Sequence, residues 1–291
     1  MSESIRKCPL CGGEHSIIFD RREFRSHTVI NRLCQNCGLV FQSPRMTEAE
    51  LAGFYLEEYR RLQEDSMTPT ARNVNAQTAR AESLCDFSRP ILPLINRHLD
   101  IGCSTGILLQ HFQRTYKNQA VGVEPGEAHR MYACKKGLTV YASLEDLEKA
   151  AETRFDLVSM SHVLEHLPDP IGYLTHLREH LLTPDGWLLL EIPNLYAHDS
   201  FEVAHLYAFS PHTLREVLRW SGFDIVKLEK HGRPNSQLFP LFLTILCQPV
   251  LQPDVHPVHP ERGVVFKRRA GMLWRRILSR LFPKRAWLVQ G

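Results

Sequence analysis

The sequence lacks the features that would place it among membrane-spanning, fibrous or disordered chains. No apolar run approaches the roughly 20 residues that a spanning helix requires. The opening stretch MSESIRKCPLC has no apolar core of the signal-peptide kind. No internal repeat or low-complexity tract interrupts the 291 residues. An excess of charge is missing too: 23% of residues are charged and the formal net charge is +3, too little for disorder or for a chain-wide field that attracts nucleic acid. Acidic residues are absent from one segment. Residues 262–291 hold nine Lys or Arg and no Asp or Glu, leaving 26 basic groups against 32 acidic ones in the first 261, a net of −6. With 43% hydrophobic residues the chain can bury one or two domain cores. A cytoplasmic protein with a local basic patch is expected.

The eight cysteines fall into two populations. Cys8 and Cys11, and Cys34 and Cys37, form two C-x-x-C pairs separated by 22 residues, while Cys85, Cys103, Cys134 and Cys247 are scattered. In a reducing compartment such pairs are metal ligands more often than disulfides, and four thiolates close a tetrahedral zinc site. Gly12 and Gly38 follow the pairs, where the chain must turn tightly. A segment this short has little core of its own, so a structural zinc ion would supply its folding free energy. A filled four-thiolate shell has no open position for chemistry.

Beyond these pairs, Ser43-Pro44 ends a strand-like stretch and Thr47 with Glu50 forms a capping box that opens a helix. A second helical stretch covers roughly 70–88. From about residue 97 short apolar runs alternate with helical segments: His98–Ile101, Ala120–Val123, Phe155–Met160, Trp187–Ile192 and Phe223–Leu228. That alternation predicts an α/β fold with a parallel sheet covered by helices on both faces. The expected division is a zinc ribbon at 1–45, a helical connection at 46–92, a nucleotide-binding-like domain at 93–232, and an extension at 233–291.

The run His98-Leu99-Asp100-Ile101 leads straight into Gly102-Cys103-Ser104-Thr105-Gly106 and then a helical pattern. Glycines at this place let a ligand approach the backbone. A dinucleotide needs G-x-G-x-x-G to seat its pyrophosphate. The G-x-x-x-G spacing here suits a cofactor without phosphates. Glu124 ends the next strand, where a carboxylate can accept hydrogen bonds from two ribose hydroxyls.

The segments LDIGCSTGILL, VGVEPG, FDLVSMSHVLEHLPDP and LLTPDGWLLLEIPN, in that order, resemble the class I S-adenosylmethionine-dependent methyltransferases over roughly residues 97–230. The resemblance implies a Rossmann-like, doubly wound, seven-stranded sheet. It assigns Asp100, Gly102 and Gly106 to the amino-acid end of S-adenosylmethionine, Glu124 to its ribose, Ser143 and Leu144 to the adenine, and Ser161 to a cofactor contact. The family's central glycine is Ser104 in this chain. A zinc ribbon before such a domain resembles bacterial deoxysugar C-methyltransferases and methyltransferase-23-type proteins, and His205 matches the catalytic histidine of the former. Where those enzymes carry Tyr and Glu before that histidine, this chain has Glu202 and Ala204.

Alternatives stand beside several of these residues. His162-Val163-Leu164-Glu165-His166 fits the H-x-x-E-H metal pattern, but that motif needs a long helix, and Pro168 follows two residues later. In this loop the resemblance expects an LEH sequence that packs or lines the acceptor cleft. Cys103 is either a nucleophile or a small residue required by close packing. Tyr55 and Tyr59 either face the acceptor or pack. His205 is either a general base, since histidine titrates nearest the working pH, or a hydrogen-bonded histidine beneath the next helix.

From Phe266 to Leu281, apolar residues recur at helical spacing with Arg and Lys between them, a basic amphipathic helix. It either meets the headgroups of an anionic membrane at the inner face, with the run LFPLFLTIL at 238–246 as a second apolar contact, or packs on the domain. Ala286–Gln290 is a candidate last strand, and nucleic acid is a weaker partner. The whole predicts a methyltransferase for a small-molecule acceptor, most plausibly a nucleotide-linked sugar or cell-envelope precursor. The alternatives are O-methylation of a quinone, lipid or secondary metabolite, and a non-catalytic adapter built on the ribbon and the basic segment.

Overall fold

The computed structural model describes residues 2–24, 27–57, 69–150, 154–251 and 256–288. Its first strands belong to the cysteine-bearing segment: β1 (Ser2–Glu3), β2 (Ser16–Phe24), β3 (His27–Cys34), β4 (Val40–Gln42) and β5 (Arg45–Met46). Strands β2, β3 and β4 pair antiparallel in sequence, and β1 pairs with β5. Helix α1 (Glu48–Glu57) opens on the expected box, with Thr47 N and Oγ1 both donating to Glu50 Oε2 at 2.9 Å. Helix α2 (Ala71–Ser88) is capped by Thr70, whose hydroxyl accepts from Asn73 N at 3.2 Å. Tyr59 lies outside the described residues, as does the side chain of Tyr55.

The alternating pattern then becomes β6 (Arg97–Ile101), α3 (Ile107–Tyr116), β7 (Gln119–Val123), α4 (Glu127–Lys135), β8 (Thr139–Tyr141), α5 (Leu144–Lys149), β9 (Phe155–Ser161), α6 (Pro170–His176) and β10 (Leu182–Pro193). After it come β11 (Tyr207–Ala208), α7 (Pro211–Trp220), β12 (Phe223–His231), β13 (Phe242–Pro249), α8 (Val264–Leu281) and α9 (Pro283–Ala286). Seven strands form one sheet in the order β12-β13-β10-β9-β6-β7-β8. The chain moves outward from β6 to β8, then returns to β9 on the other side of β6. This reversal leaves a crevice over the carboxyl ends of β6 and β9, the place where doubly wound sheets bind ligands.

Apolar residues alternate between the two faces. On β10, Leu188, Leu190 and Ile192 join the larger core, while Trp187 and Leu189 join the core formed with α2 and α3. A strand covered on both sides reads as a continuous apolar run.

Three expectations are corrected here. The seventh strand is Phe242–Pro249, antiparallel to both β10 and β12, so the sheet is mixed and extends past the expected boundary at residue 232. The run at 238–246 is therefore no membrane contact: Leu243, Ile245 and Cys247 face one core and Leu246 the other. Ala286 ends the short helix α9, and Trp287 and Leu288 form no strand; Val289 and Gln290 lie outside the described residues. Apolarity on both faces marks a central strand, whereas the shorter Ala286–Gln290 run follows directly on a helix.

The ribbon is not a separate body. Strand β11 leaves the main domain and joins the ribbon sheet, in the order β11-β4-β3-β2. Tyr207 pairs with Phe41 and Ala208 with Val40, and Gln42 N donates to Leu206 O at 2.8 Å.

Ile245→Ala is expected to cost about 2–5 kcal/mol in a denaturant melt, the range for emptying a buried aliphatic site. A cost below about 0.5 kcal/mol would return this run to the surface.

Candidate active site

The glycine loop begins where β6 ends. Gly102 has φ +72° and Gly106 φ +75°, a region that residues with a Cβ enter at a cost. A Cβ on Gly102 would lie 2.5 Å from Val163 Cγ2, and one on Gly106 would run into Leu138 Cδ1. Gly102 thus lets the loop pass the segment after β9, and Gly106 lets α3 settle against Leu138. Between them, Ser104 N donates to Glu124 Oε2 at 2.9 Å, and Gly126 N donates to Glu124 Oε1 at 2.8 Å. The Glu124 carboxylate is buried and ties the loops after β6 and β7 together.

A cavity of about 290 Å³ lies over this edge of the sheet. Asp100, Gly102 and Ser161 line it from the strand ends, and His205 lines it from the loop after β10. Gly106, Glu124, Ser143 and Leu144 do not. Ser143 caps α5 by accepting from Asp146 N at 3.1 Å, and Leu144 begins that helix against the main core. Ser161 Oγ is buried without a hydrogen-bond partner among the described residues. That orphaned hydroxyl, beside the Asp100 carboxylate, fits a polar ligand in the cavity.

Asp100 is almost fully buried. His98 Nε2 donates to Ser159 Oγ at 2.7 Å, and Ser159 Oγ donates to Asp100 Oδ1 at 2.6 Å. Burial pushes the Asp100 carboxyl up to about 7, the Ser159 hydrogen bond pulls it back, and nearby Glu124 adds to the rise. Burial also pushes His98 down to about 3, so the relay starts from a neutral imidazole.

Cys103 also lines the cavity, but burial raises its thiol well above the ordinary value. A Cβ on Gly122 would lie 2.5 Å from its Sγ. Its small side chain is required by packing, and a thiol held protonated is a poor nucleophile.

Four histidines line the cavity: His162, His166, His198 and His205. His162 has φ +55°, and its ring stands between two carboxylates, with Nδ1 3.3 Å from Glu165 Oε1 and Nε2 3.5 Å from Glu191 Oε1. Burial and Arg80 oppose its charge, yet Glu165 and Glu191 outweigh them and raise its pKa. Burial lowers His166 to about 4 with help from His205, and burial lowers His198 to about 3 with help from His162. His166 Nδ1 donates to Ala204 O at 2.9 Å and His205 Nδ1 to Ser200 O at 2.6 Å, which leaves Nε2 of each ring as an acceptor. Glu165, His166 and His205 offer ligand atoms within 4.8 Å of one another. The H-x-x-E-H pattern does not form two histidines on a helix: Leu164–His166 is a single tight turn, and the residue grouped with Glu165 and His166 is His205.

Helix α2, expected only as a connection, lines the cavity with Gln77, Arg80, Ala81 and Leu84. Their i, i+3, i+4, i+7 spacing was the available signal. Gln77 Nε2 donates to Ser104 Oγ at 3.0 Å, and Gln77 Oε1 accepts from Thr105 Oγ1. Arg80 bonds Glu191 and His162 and lies 4.8 Å from the centre of the Phe242 ring. Burial alone would raise the Glu191 carboxyl; Arg80 and His162 hold it well below the carboxylate range.

At the ribbon, Cys8 Sγ lies 3.5 Å from Cys37 Sγ and Cys11 Sγ 3.6 Å from Cys34 Sγ, all four within 4.8 Å. Four sulfurs about 2.3 Å from a zinc ion would stand about 3.8 Å apart, so the thiols fit that ion. Gly12 (φ +69°) and Gly38 (φ +86°) turn the two knuckles.

A family model described as a methyltransferase domain matches residues 67–228. Among curated proteins, the ubiquinone biosynthesis O-methyltransferase of Cereibacter sphaeroides is 35% identical over 116 residues, 38% of this chain and 46% of that protein. The enzyme of the same name from Hahella chejuensis is 36% identical over 85 residues, 27% of this chain and 35% of that one. The chain thus spans half or less of the length of these relatives. Among solved structures, the 1,6-didemethyltoxoflavin-N1-methyltransferase of Burkholderia thailandensis, with bound 1,6-didemethyltoxoflavin and S-adenosylhomocysteine, aligns with a TM-score of 0.56 at 19% identity. That alignment covers 79% of this chain and 99% of the other, and it shows a shared fold.

Proposed function

We propose a reaction on the premise that this chain belongs to the methyltransferase-domain family: it moves the methyl group of S-adenosylmethionine to a small-molecule acceptor, a nucleotide-linked sugar or another cell-envelope precursor. The observation that supports the reading is a cavity lined by Asp100, Gly102, Ser161 and His205 together. The cofactor supplies a methyl group already activated on sulfur. Asp100 would take its ammonium group, Ser161 a further polar contact, and Glu124 its ribose hydroxyls. Ser143 and Leu144 would border the adenine, and Gly106 would hold the loop in place.

The chain's own task is to align the acceptor, exclude water and accept a proton. The cavity histidines differ in fitness for the last step. Glu165 and Glu191 raise the pKa of His162 and tie up its ring, and His166 and His198 are pushed too low to keep a proton near neutrality. His205 remains, with Nδ1–H fixed on Ser200 O and Nε2 free to receive the acceptor's proton. Cys8, Cys11, Cys34 and Cys37 would hold a zinc ion that organises the ribbon and takes no part in the chemistry.

A second reading, O-methylation of a quinone-type hydroxyl, is favoured by the names of the curated relatives and by Glu165, His166 and His205, which could hold a divalent cation beside that hydroxyl.

Calorimetry with S-adenosylmethionine is expected to show binding that tightens from about pH 6 to about pH 7.5, because the Asp100 carboxylate attracts an ammonium group only when ionised. Asp100→Asn should weaken binding and flatten that slope. No binding at millimolar cofactor would leave the adapter reading. His205→Ala should lower turnover by about 10²–10⁴-fold with cofactor affinity kept, and unchanged turnover would remove His205 as base. Metal analysis should give one zinc per chain, lost in Cys8→Ser or Cys37→Ser. A second equivalent lost in Glu165→Gln would favour the quinone reading.

A further inference from the structure

We propose that helix α8 seats this protein on an anionic lipid surface through an apolar face turned away from the domain. The inference goes beyond the methyl-transfer reading and does not depend on it. An amphipathic helix on a globular domain ordinarily turns its apolar stripe inward. Here the orientation is reversed. The inward side carries Val264, Arg268, Gly271 and Arg275. Arg268 Nη1 donates to Leu195 O at 2.5 Å and His198 O at 2.6 Å, and its Nη2 to Asp199 Oδ1 at 3.0 Å. Arg275 Nη1 donates to Ala197 O at 2.9 Å, and a Cβ on Gly271 would run into the Tyr196 carbonyl. Arginine-to-carbonyl bonds and close backbone approach hold the helix down, so its position on the domain does not consume the apolar stripe.

That stripe faces outward. Phe266 is 77% exposed, Leu273 and Trp274 are each 58%, Ile277 is 40% and Leu281 is 64%. Their 0, 7, 8, 11, 15 spacing keeps them on one side of a helix about 27 Å long. A contiguous apolar strip of this kind marks a surface with a partner. Charge identifies the partner. Arg269, Arg276 and Arg280 are exposed along one flank of the strip, Lys284 and Arg285 are exposed just beyond it, and no acid occurs from 262 to 291. Apolar side chains bordered by cations suit acyl chains bordered by phosphate headgroups. A second copy of this chain would instead bring the same arginines against one another across a two-fold axis.

The test is sedimentation of the full zinc-loaded chain with vesicles of phosphatidylcholine alone or with about 30% phosphatidylglycerol. Binding to the anionic vesicles is expected to be at least about tenfold stronger. The pair L273S/W274S and the triple R269E/R276E/R280E should each lose about tenfold or more, with S-adenosylmethionine binding and thermal unfolding unchanged as the check on folding. Wild-type protein that ignores anionic vesicles, or variants that bind as it does, would overturn the proposal. So would a wild-type dimer in analytical ultracentrifugation that L273S/W274S converts to monomer, because the face would then belong to a second copy.

Discussion

A two-residue antiparallel pairing, Tyr207 with Phe41 and Ala208 with Val40, joins the cysteine-bearing sheet to the loop that carries the candidate base. The ribbon also shares the main core, through Cys8, Leu10, Leu39 and Phe41 packed with Leu206 and Phe209, but this pairing is where its sheet takes in the loop itself. With it, the loop lies between two fixed ends. Asn194 N donates to Leu241 O at 2.8 Å at its start, and Gln42 N donates to Leu206 O at 2.8 Å near its finish. His205 sits one residue before that second anchor, its Nδ1 on the Ser200 carbonyl within the same loop. Tyr207 adds to the clamp: its hydroxyl donates to Pro168 O at 2.8 Å, and Arg45 Nη1 lies 3.2 Å from the same hydroxyl. The zinc-binding geometry of the ribbon and the histidine of the cavity are thus two ends of one short sheet.

The cofactor half of the site rests on a different arrangement. Asp100, Ser159 and His98 form a buried relay below the glycine loop, and Glu124 holds the loop from the side by backbone amides. These contacts lie within the seven-stranded sheet and owe nothing to the ribbon. Helix α2 is the element that spans both halves. Its Gln77 holds the cofactor loop and its Arg80 reaches Glu191 and His162 at the acceptor end. A buried carboxylate such as Glu191 is costly when its partner is removed, so α2 is held across the crevice by charge as well as by the packing of Ala81, Leu84 and Phe87.

Features written in local sequence were legible. The glycine loop, the Thr47 cap and the two C-x-x-C knuckles each depend on a few consecutive residues, and the structure forms each of them. What depended on distant partners was not. Strand β13 looked like a surface apolar run because a segment buried on both faces has no alternation to betray it. In α2, helical spacing marks Gln77, Arg80, Ala81 and Leu84 as one face, but what that face covers depends on distant strands. In α8 the stripe was plain, but only the Arg268 and Arg275 bonds to backbone carbonyls decide which side faces inward. His162 shows the same limit: Glu165 is three residues on, but Glu191 lies on β10, close in space and far along the chain.

The most direct test of the link between ribbon and loop is amide hydrogen exchange across residues 38–43 and 204–209, with the metal bound and after chelation. The account predicts that both segments lose protection together, while 97–101 and 119–123 in the main sheet keep theirs. Protection at 204–209 that survives while 38–43 opens would show that the loop carrying His205 is held without the ribbon, and would contradict the account.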